Sequence, residues 1–229
     1  MLPNVAPEVN PLHSDSTFHI FEERNLNKLN TGDIILCHSS GPNGSRDHGL
    51  DGIIEWATHS PWEHAGLIIR DPWWLSHKGL FIFQSGDGPN GYQDILNGNI
   101  KGVTLNKLDD FLRNRTYIFV RTLENFPFTE SKKIQFQKTF EESHAKPYDR
   151  NLCSWLGTGC GSFFGCRCCS QISTPPTKKT FWCSALVAFI YVQMQLFDSK
   201  LDWSCQTPVD LYKSDVKSPY KLSPAWRLK

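Results

Sequence analysis

The chain has 229 residues, 39% hydrophobic and 21% charged, which supplies apolar material for a packed core and excludes a disordered chain. Its 24 Lys and Arg residues balance 23 Asp and Glu, a formal net charge of +1, so no global field recruits nucleic acid or an anionic membrane surface. No apolar run reaches the roughly 20 residues of a membrane-spanning helix, and the first residues lack a basic stretch followed by an apolar one; the expectations are no transmembrane segment, no secretory signal and a cytoplasmic location.

Residues 1–29 read as an arm and lead-in, with Pro3, Pro7 and Pro11 in its first half and a short helix between Phe18 and Leu29. Residues 30–229 read as one domain. Thr31-Gly32-Asp33 is a turn, and Ile34-Ile35-Leu36-Cys37 is a continuous apolar run typical of a buried strand. His38 to Gly49 is loop-like, and Leu50 to Thr58 fits a short helix. Pro61 opens a segment whose residues His64 to Ile69 form a second strand, and Leu80 to Gln84 form a third, closed by the turn chemistry of Asp87 to Gly91. Gly102 to Leu105 is β-like, Lys107 to Leu112 is helical with Asn106 as its N-cap, and Tyr117 to Arg121 is another strand. Thr129 to His144 is an amphipathic helix with Ile134, Phe136 and Phe140 on its apolar side. Cys153 to Lys179 turns to Gly, Cys, Ser, Thr and Pro and reads as an insertion or lid. Trp182 to Phe197 is apolar on nearly all sides, which marks a central buried helix, and the tail from Ser204 is turn-rich. The sum is an α+β domain, a helix against a mostly antiparallel sheet.

The chemistry begins with Cys183, in the first turn of the apolar helix. Unpaired backbone N–H groups and the helix dipole favour an anion there, lower a thiol's proton affinity and can hold an oxyanion. A cysteine at a helix start is also commonly an inert core residue, so the argument needs a base. His64, opening an apolar strand, can take a thiol proton and return it to a leaving group. Glu63 is its chain neighbour, but adjacent strand residues point to opposite faces. Gln84 closes the next strand, where its amide can accept an imidazole N–H and set the tautomer. Trp62 and Trp182 flank the two reactive residues and, with Ser184, are the candidate substrate contacts; core packing is the equal alternative for the two rings.

Six segments fall in a telling order: Gly32-Asp33-Ile34; Ser60-Pro61-Trp62-Glu63-His64-Ala65-Gly66-Leu67; Phe83-Gln84-Ser85; Pro147-Tyr148-Asp149; Trp182-Cys183-Ser184-Ala185-Leu186-Val187; and Gln206-Thr207-Pro208-Val209-Asp210-Leu211. The series, over about residues 30 to 212, resembles the circularly permuted branch of the NlpC/P60 superfamily of papain-like cysteine hydrolases, and within it the YiiX-like group, which includes poxvirus proteins. The resemblance implies a permuted papain-like fold, with the central helix that carries the cysteine packed on the sheet. It implies the nucleophile at Cys183, the base at His64 and the third polar residue at Gln84, where family members more often carry glutamate. Ala185 also stands where the family pattern has a charged residue.

The implied activity is that of a thiol hydrolase or acyltransferase, a peptidase or amidase among them, acting on peptide, amide or lipid acyl groups. The alternative is a catalytically weak module of the same fold that binds lipid or peptide. A viral origin would place it in a virion or host cell. Cys153, Cys160, Cys166, Cys168 and Cys169 lack the paired spacing of a zinc ribbon, so neither a metal nor a cofactor is expected.

Overall fold

A computed structural model describes residues 23–38, 62–86, 92–113, 115, 117–149 and 178–229. The expected arm, the helix of Leu50 to Thr58, the turn of Asp87 to Gly91 and the cysteine-rich insertion as far as residue 177 lie outside the described residues.

Six strands form one sheet, β1 (Ile34–His38), β2 (Trp62–Arg70), β3 (Leu80–Gly86), β4 (Gly102–Lys107), β5 (Ile118–Arg121) and β8 (Trp226–Arg227), in the order β4-β3-β2-β1-β5-β8. Every registered pair is antiparallel. A two-stranded ribbon joins β6 (Leu123–Glu124) to β7 (Lys221–Leu222). The helices are α1 (Glu23–Leu26), α2 (Leu108–Arg113), α3 (Glu130–Ser143), α4 (Cys183–Gln193) and α5 (Pro208–Lys213), with a 3-10 turn at Trp203–Cys205.

The central strands read as apolar runs because both faces of the sheet are covered. Ile34, Leu36, Ala65, Leu67 and Phe83 share one cluster with Phe136 and Phe140 of α3 and with the apolar residues of α4. On the other face Ile35, Cys37, Ile68 and Ile82 pack with Leu108, Phe111 and Leu112 of α2. Every residue of α4 from Cys183 to Tyr191 is buried, which is why this helix shows no polar stripe. The Tyr191 hydroxyl donates to the Gly32 carbonyl at 2.6 Å and pins α4 to the turn before β1. In that turn Asp33 accepts the N–H groups of Asn30 at 2.8 Å and Leu123 at 2.9 Å.

Several expectations change. Ile134 is 68% exposed, and the buried stripe of α3 consists of Phe136, Thr139, Phe140 and Ser143. Asn106 is not a helix cap: β4 runs on to Lys107, and the Asn106 side chain bonds Gln84 of β3 and the Tyr92 carbonyl. His38, placed in a loop by composition, is the buried last residue of β1, its ring 5.4 Å from Trp62. The tail holds a helix, α5, opened by a capping box in which the Thr207 N–H donates to Asp210 Oδ2 at 2.8 Å and Thr207 Oγ1 accepts the Asp210 N–H at 3.3 Å. Thr207-Pro208-Val209-Asp210 carries that signal openly, a capping residue, proline in the first turn and an acid three positions on. Among the described residues no helix is long and apolar enough to cross a membrane.

Candidate active site

His64 and Gln84 meet on the sheet face that α2 covers. They are not direct cross-strand partners: Gln84 stands opposite Gly66, and His64 opposite Cys37. The contact is diagonal, within reach of long side chains, and crosses the position where Gly66 has no side chain. A Cβ at Gly66 would lie 3.5 Å from the Gln84 Cβ and 2.7 Å from Ile82 Cδ1. The His64 Nε2 to Gln84 Oε1 distance is 2.7 Å.

The network behind Gln84 decides which way its amide faces. Gln84 Nε2 donates to Asn106 Oδ1 at 2.8 Å, and that oxygen also accepts the Thr104 hydroxyl at 2.9 Å. Asn106 Nδ2 donates to the Tyr92 carbonyl at 2.8 Å, an acceptor that cannot reverse. Asn106 is therefore fixed, Gln84 must present oxygen to the imidazole, and the imidazole must carry its proton on Nε2. Nδ1 is left as the proton acceptor.

Cys183 opens α4. The preceding Trp182 has an extended backbone (φ −88°, ψ 172°) and gives the helix no side-chain cap. The sheet forks at its His64 and Gln84 end. The β2–β3 ladder stops at Gly66 and Gln84, while β1–β2 runs on to His38 and Trp62, and β3–β4 runs on to Gly86 and Gly102. On the β3 side of the opening the Ser85 hydroxyl donates to the Phe181 carbonyl at 2.6 Å, two residues before Cys183. The Cys183 thiol acts electrostatically on that of Cys37, the cross-strand partner of His64. Cys37, Cys183 and Cys205 are all thiols, and burial pushes Cys37 up to about 12.

Two charged residues complete the surroundings, neither of which the sequence singles out for this place. Two residues of β1, Cys37 and His38, face His64 and Trp62, so Glu63 is the extra residue of a bulge. Its carboxylate pairs with Arg115 at 3.5 Å. The Arg115 guanidinium also donates to the Cys37 sulfur and lies 5.0 Å from the centre of the Phe111 ring.

Burial, with the Arg115 charge added and the Gln84 hydrogen bond opposing, lowers the His64 imidazole from 6.5 to about 3. Between those values the unfolded chain binds a proton that the folded chain does not, so stability rises with pH through the window and is complete above about 6.5. Asp33 has the opposite sign. Burial raises it from 3.8 to about 6, so in that interval the folded chain binds the extra proton and stability falls as pH rises. Urea midpoints at pH 7 and pH 4.5 separate the two. The acid loss in the parent is expected to shrink in His64→Gln by up to about 2.5 kcal/mol and to grow in Asp33→Asn. Equal losses in all three chains would refute both assignments.

The candidate substrate contacts are placed as follows. Trp62 is buried and stacks on Tyr212 of α5 with ring centres 4.7 Å apart. Trp182 is buried in the α4 cluster, and the buried Ser184 hydroxyl donates to the Gln206 carbonyl at 2.7 Å. Among the described residues no group of three or more His, Cys, Asp or Glu side chains gathers as a metal site would need.

No family model matches the chain, and no curated protein matches it. Among solved structures the chain is similar to the crystal structure of metalloprotein yiiX from Escherichia coli O157:H7, at 17% identity and a TM-score of 0.42, over 86% of this chain and 88% of that one.

Proposed function

We propose that this chain is a thiol hydrolase or acyltransferase acting on amide or acyl-ester bonds, with Cys183 as nucleophile, His64 as base and Gln84 as the residue that orients it. The observation that carries this reading is the buried 2.7 Å bond from His64 Nε2 to Gln84 Oε1, with the amide orientation fixed by Asn106. The order of motifs resembling permuted papain-like hydrolases supports it. In the proposed step Cys183 Sγ bonds to the substrate carbonyl carbon and the thiol proton passes to His64 Nδ1. The first-turn N–H groups of α4 hold the oxyanion. Collapse of this intermediate breaks the bond to the amine or alcohol, which leaves with the proton from Nδ1. The thioester then passes its acyl group to water or to a second nucleophile, whose proton Nδ1 takes and returns to Cys183.

Intact-mass spectrometry after brief exposure to substoichiometric chloroacetamide, followed by peptide mapping, tests this. Labelling at Cys183 in preference to the other seven cysteines near neutral pH, lost in His64→Ala, is the expected result. A silent Cys183 would sink it. One observation favours a second reading, a module that binds lipid or peptide without turnover: Cys183 is 2% exposed and His64 8%. Tight binding of such a ligand with no adduct at Cys183 would select it.

A further inference from the structure

The cation beside the base has no part in the scheme above. Arg115 follows α2, where its guanidinium lies over Phe111, and the same ring is 6.0 Å from the His64 ring. It pairs with Glu63, the bulge residue just before His64, and donates to Cys37, the residue directly across the ladder from His64. One side chain thus touches the chain neighbour, the cross-strand neighbour and the aromatic neighbour of the imidazole.

We propose that Arg115 is a positioning residue that adds to burial in disfavouring the charged form of the His64 imidazole, so that Nδ1 stands as a weakly basic acceptor that passes on the Cys183 proton rather than retaining it. The inference rests on the reading of His64 as the base, although its test does not need turnover.

Burial is the larger cause, and the groups around the ring support one charge beside it. From β2 the neighbour is Glu63, from β1 the Cys37 thiol, and from β3 and β4 the neutral amides of Gln84 and Asn106. From α2 it is Phe111, while Asp109 is exposed and Asp110 is paired with Arg113 at 3.1 Å. From α4 it is the Cys183 thiol, through Cys37. Among the described residues, the charge that acts on the imidazole is that of Arg115. A guanidinium keeps its charge at any working pH and disfavours a second cation beside it. Its removal takes that repulsion away.

The experiment is a pH titration of the His64 ring nitrogens by long-range proton–nitrogen NMR in the parent chain, R115M and R115K. R115M is expected to raise the proton affinity of His64 about tenfold or more, while R115K stays close to the parent. R115Q, which retains hydrogen-bonding capacity toward Cys37 without the charge, gives the same readout should R115M not fold, and a spread of resolved backbone signals certifies folding in each. A His64 midpoint that does not rise in a folded, charge-free variant overturns the proposal. The two readings fail separately. A chain whose Cys183 resists chloroacetamide can still show the rise, and a reactive Cys183 can accompany a midpoint that stays put.

Discussion

His64→Ala is expected to slow acylation of Cys183 by p-nitrophenyl acetate by two to four orders of magnitude, with the fold intact. The network defines the acceptor nitrogen of the imidazole, and the acetylated peptide, quantified by mass spectrometry over time, reads the step directly. Gln84→Ala removes the tautomer lock and leaves the base in place, so its loss is expected to be smaller, about tenfold to a hundredfold. Equal rates in parent and His64→Ala would remove the base from the mechanism. Gln84→Glu is the instructive third variant. A carboxylate there would set an oxygen against Asn106 Oδ1, which now accepts a hydrogen bond from Gln84 at 2.8 Å. Asn106 can relieve the clash only by rotating its amide, which puts oxygen against the Tyr92 carbonyl it now serves as donor. Glutamine at 84 and asparagine at 106 are thus matched. The glutamate of the permuted papain-like pattern is expected to weaken this site unless residue 106 changes with it.

Gly102→Ala is expected to cost about 3 kcal/mol of stability, seen as a lower urea midpoint with unchanged slope. Gly102 has φ +84°, where a side chain is strained by roughly 1–2 kcal/mol. Its Cβ would also strike the backbone carbonyl of Lys146, with Pro147 Cα at 3.3 Å. That carbonyl accepts the Val103 N–H at 2.8 Å, so it cannot withdraw without breaking the bond. Gly79→Ala is the control. Its φ is +109° and nothing lies within 4 Å of the added atom, so it should show the conformational cost alone, about 1 kcal/mol. Equal costs at the two positions would refute the steric argument.

What the sequence revealed of this fold follows a physical divide. The α3 helix was readable cap to cap, Thr129 to His144, because a cap, a periodic stripe and Pro147 are local signals. The β1 run and the apolar α4 were readable because burial on both sides leaves no polar stripe. Strand order is enough to suggest the pairing of His64 with Gln84. That the contact is diagonal, across the missing side chain of Gly66, depends on register, which composition does not encode. Strict alternation points Glu63 away from the His64 side, and the bulge breaks that alternation. Asn106 reads as a cap, because an asparagine before a helical stretch is the same letter whether its amide serves the helix or a sheet neighbour. Arg115, far along the chain from His64, carried no local signal at all.

The outer edge of β4 has a further consequence. The N–H and C=O of Val103 are taken by Lys146 and Ala145, and the C=O of Leu105 accepts the Ile95 N–H. At the opposite margin β8 offers two residues, Trp226 and Arg227. An incoming strand from another molecule finds occupied backbone groups on one side and almost no length on the other. Concentrated solutions should therefore resist edge-to-edge polymerisation for as long as the segment after α3 stays docked, and its release would turn a closed sheet into a template.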